Sequence, residues 1–316
     1  MSWWGTCADE PDDDDRIECE RPRASRAGSV LIWKYHGTGN DFVLLEDLSD
    51  ERPLTPELVT AICDRRIGVG ADGVIRVTGG RTSGQDFFMD YRNADGSLAE
   101  MCGNGIRCLG KLVYERGHTS ATDLQVGTRA GTRRLVLDVE EGVVRQVTVG
   151  MGPPAFARGE IPMTGPKDRP FLQEPFDIDG RTFTASAVSM GNPHLVVFLD
   201  QDPDDVDVPT VGPRIEHDPR FPEKTNVEFV APDGDALKAR VWERGSGETM
   251  ACGTGACAIL VVAAEAGLVP ASAEIRFPGG SLGVERTDAE VLLTGPAERV
   301  FEGSLDEAWM RARGVA

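Results

Sequence analysis

Lysine is scarce in this chain of 316 residues. Only five of its 33 basic residues are lysines, and acidic residues outnumber basic ones by 52 to 33. The net charge of −19 and the lack of a basic stripe argue against a nucleic-acid partner. No apolar run reaches the roughly 20 residues that cross a bilayer, so we expect no membrane partner. The N-terminus lacks a basic segment followed by an apolar one, and we expect no secretory signal there.

Cysteine occurs in an odd number and an irregular spacing that suit neither a disulfide framework nor structural zinc. No two cysteines form a CxxC pair. The seven are Cys7, Cys19, Cys63, Cys102, Cys108, Cys252 and Cys257. A reducing compartment is the simplest setting for unpaired thiols, so we predict a cytoplasmic protein without a bound metal.

The N-terminal segment differs in composition from the rest of the chain. Residues 9–20 contain eight acids, and a segment of such charge cannot bury enough apolar surface to fold. We therefore predict an acidic disordered tail over residues 1–29. The remaining length is enough for two domains with cores of their own.

Two short segments, MCGNGIRC at 101–108 and ACGTGACA at 251–258, each place a cysteine before a glycine-rich turn. Cys102 and Cys252 are 150 residues apart, close to half the chain length. Upstream matches occur in the same order at offsets of 150 to 153: GNDFVLLED with GNPHLVVFLD, GVIRV with NVEFV, and NADGSLAEMCG with ERGSGETMACG. Several matches in one order indicate an internal duplication.

Each CGxG segment begins a predicted helix that ends at a glycine 15 positions after the cysteine, Gly117 or Gly267. The first helix has an apolar stripe formed by Ile106, Leu109, Leu112 and Val113. The second, ACAILVVAAEA, is apolar on all sides, which is typical of a fully buried helix. TPELVTAICDRR predicts a further helix, with Thr55 as its N-cap and Pro56 at its first position.

Short β-rich runs lie between these anchors, among them DFFMDYR, RRLVLDV, RTFTASAV, ALKARVW and EVLLTG. We predict an α+β fold of two pseudo-symmetric domains, each a curved, mostly antiparallel sheet or barrel around one central helix. The predicted domains span residues 30–150 and 151–297, with 298–316 returning to the first. The cleft between the domains is the predicted active site.

A cysteine at a helix N-terminus can act as an acid or a base, because unpaired N–H groups and the helix dipole favour its thiolate. A redox pair usually lies close in sequence, a metal needs more soft ligands, and a nucleophilic thiol usually needs a histidine, which neither CGxG segment contains. Two-sided proton transfer uses every feature present: one thiolate removes a proton from a carbon, and an opposing thiol delivers another to its other face. The pattern predicts inversion at carbon by Cys102 and Cys252.

Other candidate residues have a weaker case for function. Cys108 and Cys257 lie within the helices, and His36 and His194 lie just beyond the Gly-Asn turns, on their N-terminal and C-terminal sides respectively; we expect all four to be structural. GVGADG at 68–73 matches GxGxxG, but a helix precedes it and a strand follows it. Dinucleotide binding needs the reverse order, so we expect no nucleotide cofactor.

From about Val30 to its end, the chain resembles the diaminopimelate epimerases, which are pyridoxal-phosphate-independent amino-acid epimerases. The segments that carry the resemblance are HGTGNDFVLL, RRIGVGADGV, NADGSLAEMCGNGIRC, VSMGNPHLVVF, NVEFV and ERGSGETMACGTGACA. The resemblance implies an isomerase of lysine biosynthesis that interconverts LL- and meso-2,6-diaminopimelate without a cofactor. It implies Cys102 and Cys252 as the acid/base residues, and a possible homodimer.

The same resemblance implies a set of substrate-binding residues. The N–H groups of Gly103, Asn104, Gly253 and Thr254 would hold the α-carboxylate of the reacting end. The other polar contacts would be Asn40, Asn93, Asn192, Asn226, Glu243 and Arg244. Since Arg244 can clamp a carboxylate and Glu243 can bind an ammonium, the distal end of the substrate can be bound as a zwitterion.

Related amino-acid racemases are the alternatives. Proline and hydroxyproline racemases also use paired cysteines, but typically have histidine where this chain has Asn104; a histidine racemase is a further possibility. A non-catalytic amino-acid-binding relative would not need both cysteines. Arg244 with Glu243 favours a substrate with a second zwitterionic end. Gly73 stands where some diaminopimelate epimerases carry glutamine, which changes one substrate contact.

Overall fold

Two sets of strands and helices follow each other along the chain in the same order. The computed structural model describes residues 30–178 and 180–315. The N-terminal lobe comprises β1 (Val30–Gly37), β2 (Asn40–Glu46), α1 (Pro56–Cys63), β3 (Gly73–Gly79), β4 (Phe87–Asn93), α2 (Gly103–Glu115), β5 (Asp123–Thr128), β6 (Gly131–Glu140) and β7 (Val143–Gly152). The C-terminal lobe comprises β8 (Phe171–Ile178), β9 (Arg181–Ser189), β10 (Pro193–Phe198), α3 (Val208–Glu216), β11 (Asn226–Asp233), β12 (Ala236–Glu243), β13 (Gly247–Thr249), α4 (Gly253–Glu265), β14 (Ser272–Phe277), β15 (Gly280–Arg286) and β16 (Val291–Gly295). A 3-10 helix, Pro203–Asp205, precedes α3, and β17 (Glu298–Leu305) and α5 (Glu307–Arg311) follow β16.

The strand pairing repeats between the lobes. In the N-terminal lobe β2–β3 and β4–β5 are parallel, whereas β1–β2, β3–β4, β5–β6 and β6–β7 are antiparallel. The C-terminal lobe repeats these directions through β9, β10, β11, β12, β14, β15 and β16. β7 pairs with β16 and so joins the lobes. The predicted α+β fold of two pseudo-symmetric, mostly antiparallel domains is confirmed.

Helices α2 and α4 occupy the centres of the two lobes. α2 packs against β1, β2, β3, β6 and β7, and α4 packs against β9, β10, β11, β14, β15 and β16. The predicted apolar stripe of α2 is buried, and so is every residue of α4 from Ala256 to Ala263. Because a buried aliphatic side chain contributes about 1.5–3 kcal/mol, each sheet is held around its helix chiefly by these contacts.

Both central helices end at the glycines predicted to end them. Gly117 and Gly267 have φ angles of 73° and 70°, in the left-handed region. In α2 the N–H of His118 donates to the carbonyl of Val113 at 3.0 Å, and an equivalent bond closes α4. A glycine in this conformation lets the chain turn back and satisfy the last carbonyls.

Helix α1 is shorter than the sequence predicted. Thr55 caps it and Pro56 takes its first position, as expected. It ends at Cys63 rather than three residues later, because the carboxylate of Asp64 accepts the backbone N–H groups two and three residues further on. Such side-chain acceptors offer the backbone an alternative to the next helical turn.

The predicted domain boundaries stay a prediction. β7 runs through the position between residues 150 and 151, and β17 pairs with β1 of the N-terminal lobe. The predicted acidic tail, residues 1–29, lies outside the described residues. Within residues 30–178 and 180–315, no helix combines the length and apolarity that crossing a bilayer requires.

Candidate active site

The starts of α2 and α4 meet at the junction of the two lobes. Cys102 and Cys252 are the N-cap residues, both with extended backbones. A Cβ atom on Gly253 would lie 2.9 Å from Cδ2 of Leu293 and 3.5 Å from the Cα of Gly103, so the glycine lets the two helix starts approach without displacing Leu293. The first turn of each helix contains no acidic residue. Two positive helix ends are therefore available to one anionic ligand.

A cavity of about 300 Å³ lies between the lobes at this junction. Ten of the twelve predicted site residues line it: Asn40, Cys102, Gly103, Asn104, Asn192, Glu243, Arg244, Cys252, Gly253 and Thr254. The other two stand behind its wall. Asn93 donates from Nδ2 to the hydroxyl of Ser97 at 3.0 Å. The side-chain oxygen of Asn226 accepts the backbone N–H of Arg244 at 2.8 Å.

Cys102 lies against Asn40, which is itself held in place. Sγ of Cys102 is 3.6 Å from Oδ1 of Asn40, and Nδ2 of Asn40 donates to Asp72 at 2.7 Å. Nδ2 of Asn104 donates to the same Oδ1 at 3.3 Å and to the carbonyl of Ala251, across the lobe junction, at 3.2 Å. These bonds orient Cys102 and connect the N-terminal wall of the cavity to the C-terminal wall.

The two cysteines have different electrostatic surroundings. Burial raises the pKa of Cys102 to about 11; Glu243 adds to this rise, whereas the N–H groups at the start of α2 and the Arg107 guanidinium oppose it. Burial also raises the pKa of Cys252, well above its ordinary value, and there Glu243 and Glu228 both add to the rise. A carboxylate beside a thiol disfavours the thiolate. Two carboxylates therefore oppose the ionisation of Cys252, and one opposes that of Cys102.

Glu243 is held next to Cys252. The hydroxyl of Thr249 donates to its Oε1 at 2.5 Å. Burial raises the pKa of Glu243, and hydrogen bonds from Thr249 and Cys252 oppose that rise. A partly buried carboxylate with few donors is available to a cationic group of a ligand.

A buried histidine and glutamate stand behind the C-terminal wall, and the sequence had predicted only a structural role for the histidine. Nδ1 of His194 lies 2.7 Å from Oε1 of Glu228, and both side chains are fully buried. Nε2 of His194 is 3.0 Å from Oδ1 of Asn192. Asn192 then contacts Thr254 at 3.4 Å, and Thr254 contacts Sγ of Cys252 at 3.4 Å. A continuous chain of polar contacts links the pair to Cys252.

The duplication shows which N-terminal residues correspond to His194 and Glu228. β10 lies on β11 in the same register as β2 on β3, which makes Phe42 and Ile75 the N-terminal counterparts of His194 and Glu228. Both counterparts are fully buried. The signal was present in the sequence, since one polar residue interrupts each of the apolar runs PHLVVF and NVEFV.

Two arginines of the cavity are available to a carboxylate. Among the described residues, Arg244 has no acidic partner and donates from Nη1 to the carbonyl of Glu223 at 3.0 Å. Arg133, which the sequence analysis did not single out, also lines the cavity, and its buried Nε has no partner within the described part of the chain. Arg133 shares the inward face of β6 with Leu135, whereas Arg134 points outward to Asp123. An arginine at an inward position of an alternating strand is the signal that could have identified it.

No group of histidine, cysteine, aspartate and glutamate among the described residues is arranged to hold a metal ion. The donors and acceptors of the cavity are instead two thiols, helix N–H groups, amides, two carboxylates (Glu100 and Glu243) and two guanidinium groups. Together they suit a small ligand that carries both carboxylate and ammonium groups.

Known proteins resemble this chain over most of its length. The family model described as Diaminopimelate epimerase matches residues 32–157 and 186–300. The Diaminopimelate epimerase of Pelotomaculum thermopropionicum is 46% identical over 276 residues, which cover 85% of this chain and 96% of that protein. Diaminopimelate epimerase 1 of a Nostoc species is 44% identical over 286 residues, which cover 88% of this chain and 100% of that protein.

Solved structures of more distant proteins share the fold. A hydroxyproline epimerase from Agrobacterium vitis superposes with a TM-score of 0.65 at 16% identity, covering 88% of this chain and 92% of that one. A PhzF-family phenazine biosynthesis protein of Bacillus anthracis superposes with a TM-score of 0.61 at 17% identity, covering 88% and 99%. At such identities the likeness concerns the two-domain fold alone.

Proposed function

This chain belongs to the diaminopimelate epimerase family and is an isomerase, and from its site we propose that Cys102 and Cys252 are the two acid/base residues of the reaction. The reaction interconverts LL- and meso-2,6-diaminopimelate, a step of lysine biosynthesis. The observation that carries the proposal is the meeting of two cysteine-capped helix starts on opposite walls of one cavity.

In the proposed reaction, one cysteine as thiolate removes the α-proton, and the electron pair of the broken C–H bond remains on the substrate. The opposing cysteine as thiol then delivers its proton to the other face of the carbon and becomes a thiolate. A single base that returned its own proton would restore the starting configuration. Two groups on opposite walls are therefore necessary for inversion.

We propose that the N–H groups of Gly103, Asn104, Gly253 and Thr254 hold the α-carboxylate of the reacting end. A helix start stabilises a carboxylate by about 0.3–1 kcal/mol when exposed and by up to about 2 kcal/mol when partly buried. The larger effect is on the transition state, because fixed donors stabilise the charge that develops as the α-carbon loses its proton.

The distal end of the substrate would be bound by the remaining polar groups. Arg244, whose backbone is held by Asn226, would clamp the second carboxylate. Glu243, a partly buried carboxylate, would pair with an ammonium group. We propose Asn40 and Asn192 as neutral partners that line the cavity. Asn93 corresponds to Glu243 in the duplication, and we propose that it supports the end of β4. No cofactor has a part in this scheme.

Cellular location and assembly are also proposals. Free cysteines at 63, 102, 108, 252 and 257 support a reducing, cytoplasmic setting. A homodimer is supported by exposed Val300 and Phe301 on β17, and light scattering of the purified protein tests it. We further propose residues 30–150 with 298–316 as one domain and 151–297 as the other.

Incubation with LL-diaminopimelate in D₂O tests the function. Deuterium should enter the α-position as meso product forms, with no added metal or pyridoxal phosphate. Proline, hydroxyproline and histidine are the comparison substrates, since they lack a second amino-acid end for Arg244 to bind. Turnover of one of these without turnover of diaminopimelate would contradict the substrate assignment.

A further inference from the structure

Arg107, on the second turn of α2, is a fully buried arginine without an acidic partner among the described residues. Its side chain is 0% exposed. Its contacts are neutral oxygens: Nε donates to the carbonyl of Pro296 at 3.2 Å, Nη1 to that of Gly103 at 3.1 Å, and Nη2 to the hydroxyl of Thr38 at 3.2 Å. These bonds hold the guanidinium in one place but leave its charge uncompensated.

The position of the Arg107 charge is unfavourable for two reasons, burial and the helix dipole. A buried ion costs several kcal/mol unless an opposite charge accompanies it. A cation is also disfavoured near a helix N-terminus, where the dipole is already positive, and Arg107 is the fifth residue of α2. By contrast Arg76, also buried, has Asp47 and Asp90 within 2.9 Å. A local rule broken without an evident stabilising partner is characteristic of a functional position.

The bond from Arg107 to the carbonyl of Gly103 places the guanidinium beside the residue that follows Cys102, and the ionisable groups near it are three thiols, Cys108, Cys102 and Cys257. Cys108 and Cys257 are enclosed in the cores of the two lobes. Only Cys102 reaches the cavity. The anion that best accompanies the guanidinium is therefore the Cys102 thiolate, whose ionisation would turn an unpaired buried cation into a balanced pair.

Other charged or titratable groups also lie near Cys102. Glu243 faces it from β12 and opposes its ionisation, and Tyr91 faces it from β4 as a neutral phenol whose pKa is raised by burial. Glu100, Arg133 and Arg244 line the same cavity, open to a ligand, whereas Arg107 is enclosed behind it. Cys252 faces two carboxylates instead, Glu243 and Glu228. In the duplication, Arg107 corresponds to Cys257, so the second helix has no such cation.

We propose that Arg107 is a positioning residue that stabilises the thiolate of Cys102, so that Cys102 is the first of the two cysteines to lose its proton. The inference rests on the proposed two-base function and assigns unequal roles to its members: Cys102 is the more readily ionised base, and Cys252 is the acid that keeps its proton to higher pH. Arg107 acts through Cys102 and does not touch the substrate.

Alkylation with iodoacetamide, followed peptide by peptide by mass spectrometry across a pH series, tests the inference, because the thiolate is the reacting form. In the unaltered protein, the rate at Cys102 should rise at lower pH than the rate at Cys252. Cys252 rising first would overturn the inference, and this comparison needs no variant to fold.

Variants then isolate the charge. In Arg107→Met, the pH at which alkylation of Cys102 reaches half its maximal rate should rise by about one unit or more. Below that pH, alkylation should be about tenfold slower than in the unaltered protein. Arg107→Lys should keep most of the wild-type midpoint. Lys111→Met is the matched control, since it removes a buried cation one turn further along α2, where Glu115 pairs with it at 2.7 Å.

An unmoved midpoint at Cys102 in Arg107→Met, or an equal shift in Lys111→Met, would reduce Arg107 to a structural residue. Epimerisation measured on the same alkylated samples tests the proposed two-base function separately from the role of Arg107. If alkylated Cys102 leaves epimerisation intact, the two-base proposal itself is wrong. If alkylation of Cys102 abolishes epimerisation but its midpoint pH is the same with and without Arg107, the two-base function stands and Arg107 has no part in the ionisation of Cys102.

Discussion

Replacing Gly253 by alanine tests whether the contact between the two helix starts creates the site. The added Cβ would lie 2.9 Å from Cδ2 of Leu293, about 0.6–1 Å closer than two carbon atoms normally approach. Overpacking of this kind costs about 1–3 kcal/mol. To relieve the contact, Leu293 or the start of α4 must shift, and a shift of α4 would displace the N–H groups proposed to hold the α-carboxylate.

We expect Gly253→Ala to lower kcat/KM on the order of 10²-fold, since a displacement of about 1 Å can have that effect on a positioned reaction. Epimerisation kinetics and thermal unfolding should be measured together. Gly110→Ala is the control: its Cβ would lie 3.0 Å from Cδ2 of Leu135, an equally tight contact in α2 but two turns from the cavity. It should lower Tm with little change in kcat/KM.

Two results would refute this reasoning. Full activity and unchanged Tm in Gly253→Ala would mean that the helix starts have room for a side chain. Equal kinetic losses in Gly253→Ala and Gly110→Ala would mean that activity follows overall stability rather than the approach of the helices.

Three more predictions concern the cysteines and the cavity arginines. Cys102→Ala and Cys252→Ala should each abolish net epimerisation; a fully active variant in the D₂O assay would contradict the two-base scheme. Because burial raises the pKa of Cys102 to about 11, its thiolate fraction grows with pH, and kcat/KM should rise from pH about 6 to about 8; a falling profile would exclude a thiolate base. Arg133→Gln should raise KM for diaminopimelate severalfold, whereas Arg134→Gln, on the outer face of β6, should not; equal KM values would remove Arg133 from the site.

The duplication made much of the fold predictable from the sequence. Two CGxG segments at equal distance from a helix-ending glycine, with apolar patterns between them, specify the central helices and their ends by local rules. The end of α1 was missed because Asp64 offers the backbone acceptors that compete with helical bonds. Competition of that kind depends on the conformation of a single side chain.

The cavity was predictable where residues adjoin the helix starts, and unpredictable where distant segments contribute. Arg107 reads in the sequence as an ordinary charged residue of an amphipathic helix. Its lack of an acidic partner depends on Thr38 and Pro296, which the fold brings beside it. The pairing of His194 with Glu228 likewise requires the register of β10 on β11. No spacing rule along the chain contains that information.

The departures from duplication bear on the direction of the first turnover. Arg107 corresponds to Cys257 and Glu243 to Asn93, so a buried cation stands behind the N-terminal wall and a carboxylate lines the C-terminal wall. With Cys102 as the base, one turnover leaves the proton on Cys102 and a thiolate at Cys252, beside Glu243. Cys252 then takes a proton back from solvent, which is favourable because Glu243 and Glu228 both oppose its thiolate.

Consequently, the isomer whose α-proton faces Cys102 should have the faster first turnover. The other isomer needs the thiolate of Cys252, which forms less readily, and should react more slowly. Rapid mixing of each isomer with enzyme in excess, quenched and resolved by chiral chromatography, measures the two first turnovers. Arg107→Lys should keep the difference, since the charge remains, and Arg107→Met should reduce it. Equal first turnovers for both isomers in the unaltered enzyme would show that the two thiols share the proton evenly, despite their unequal neighbours.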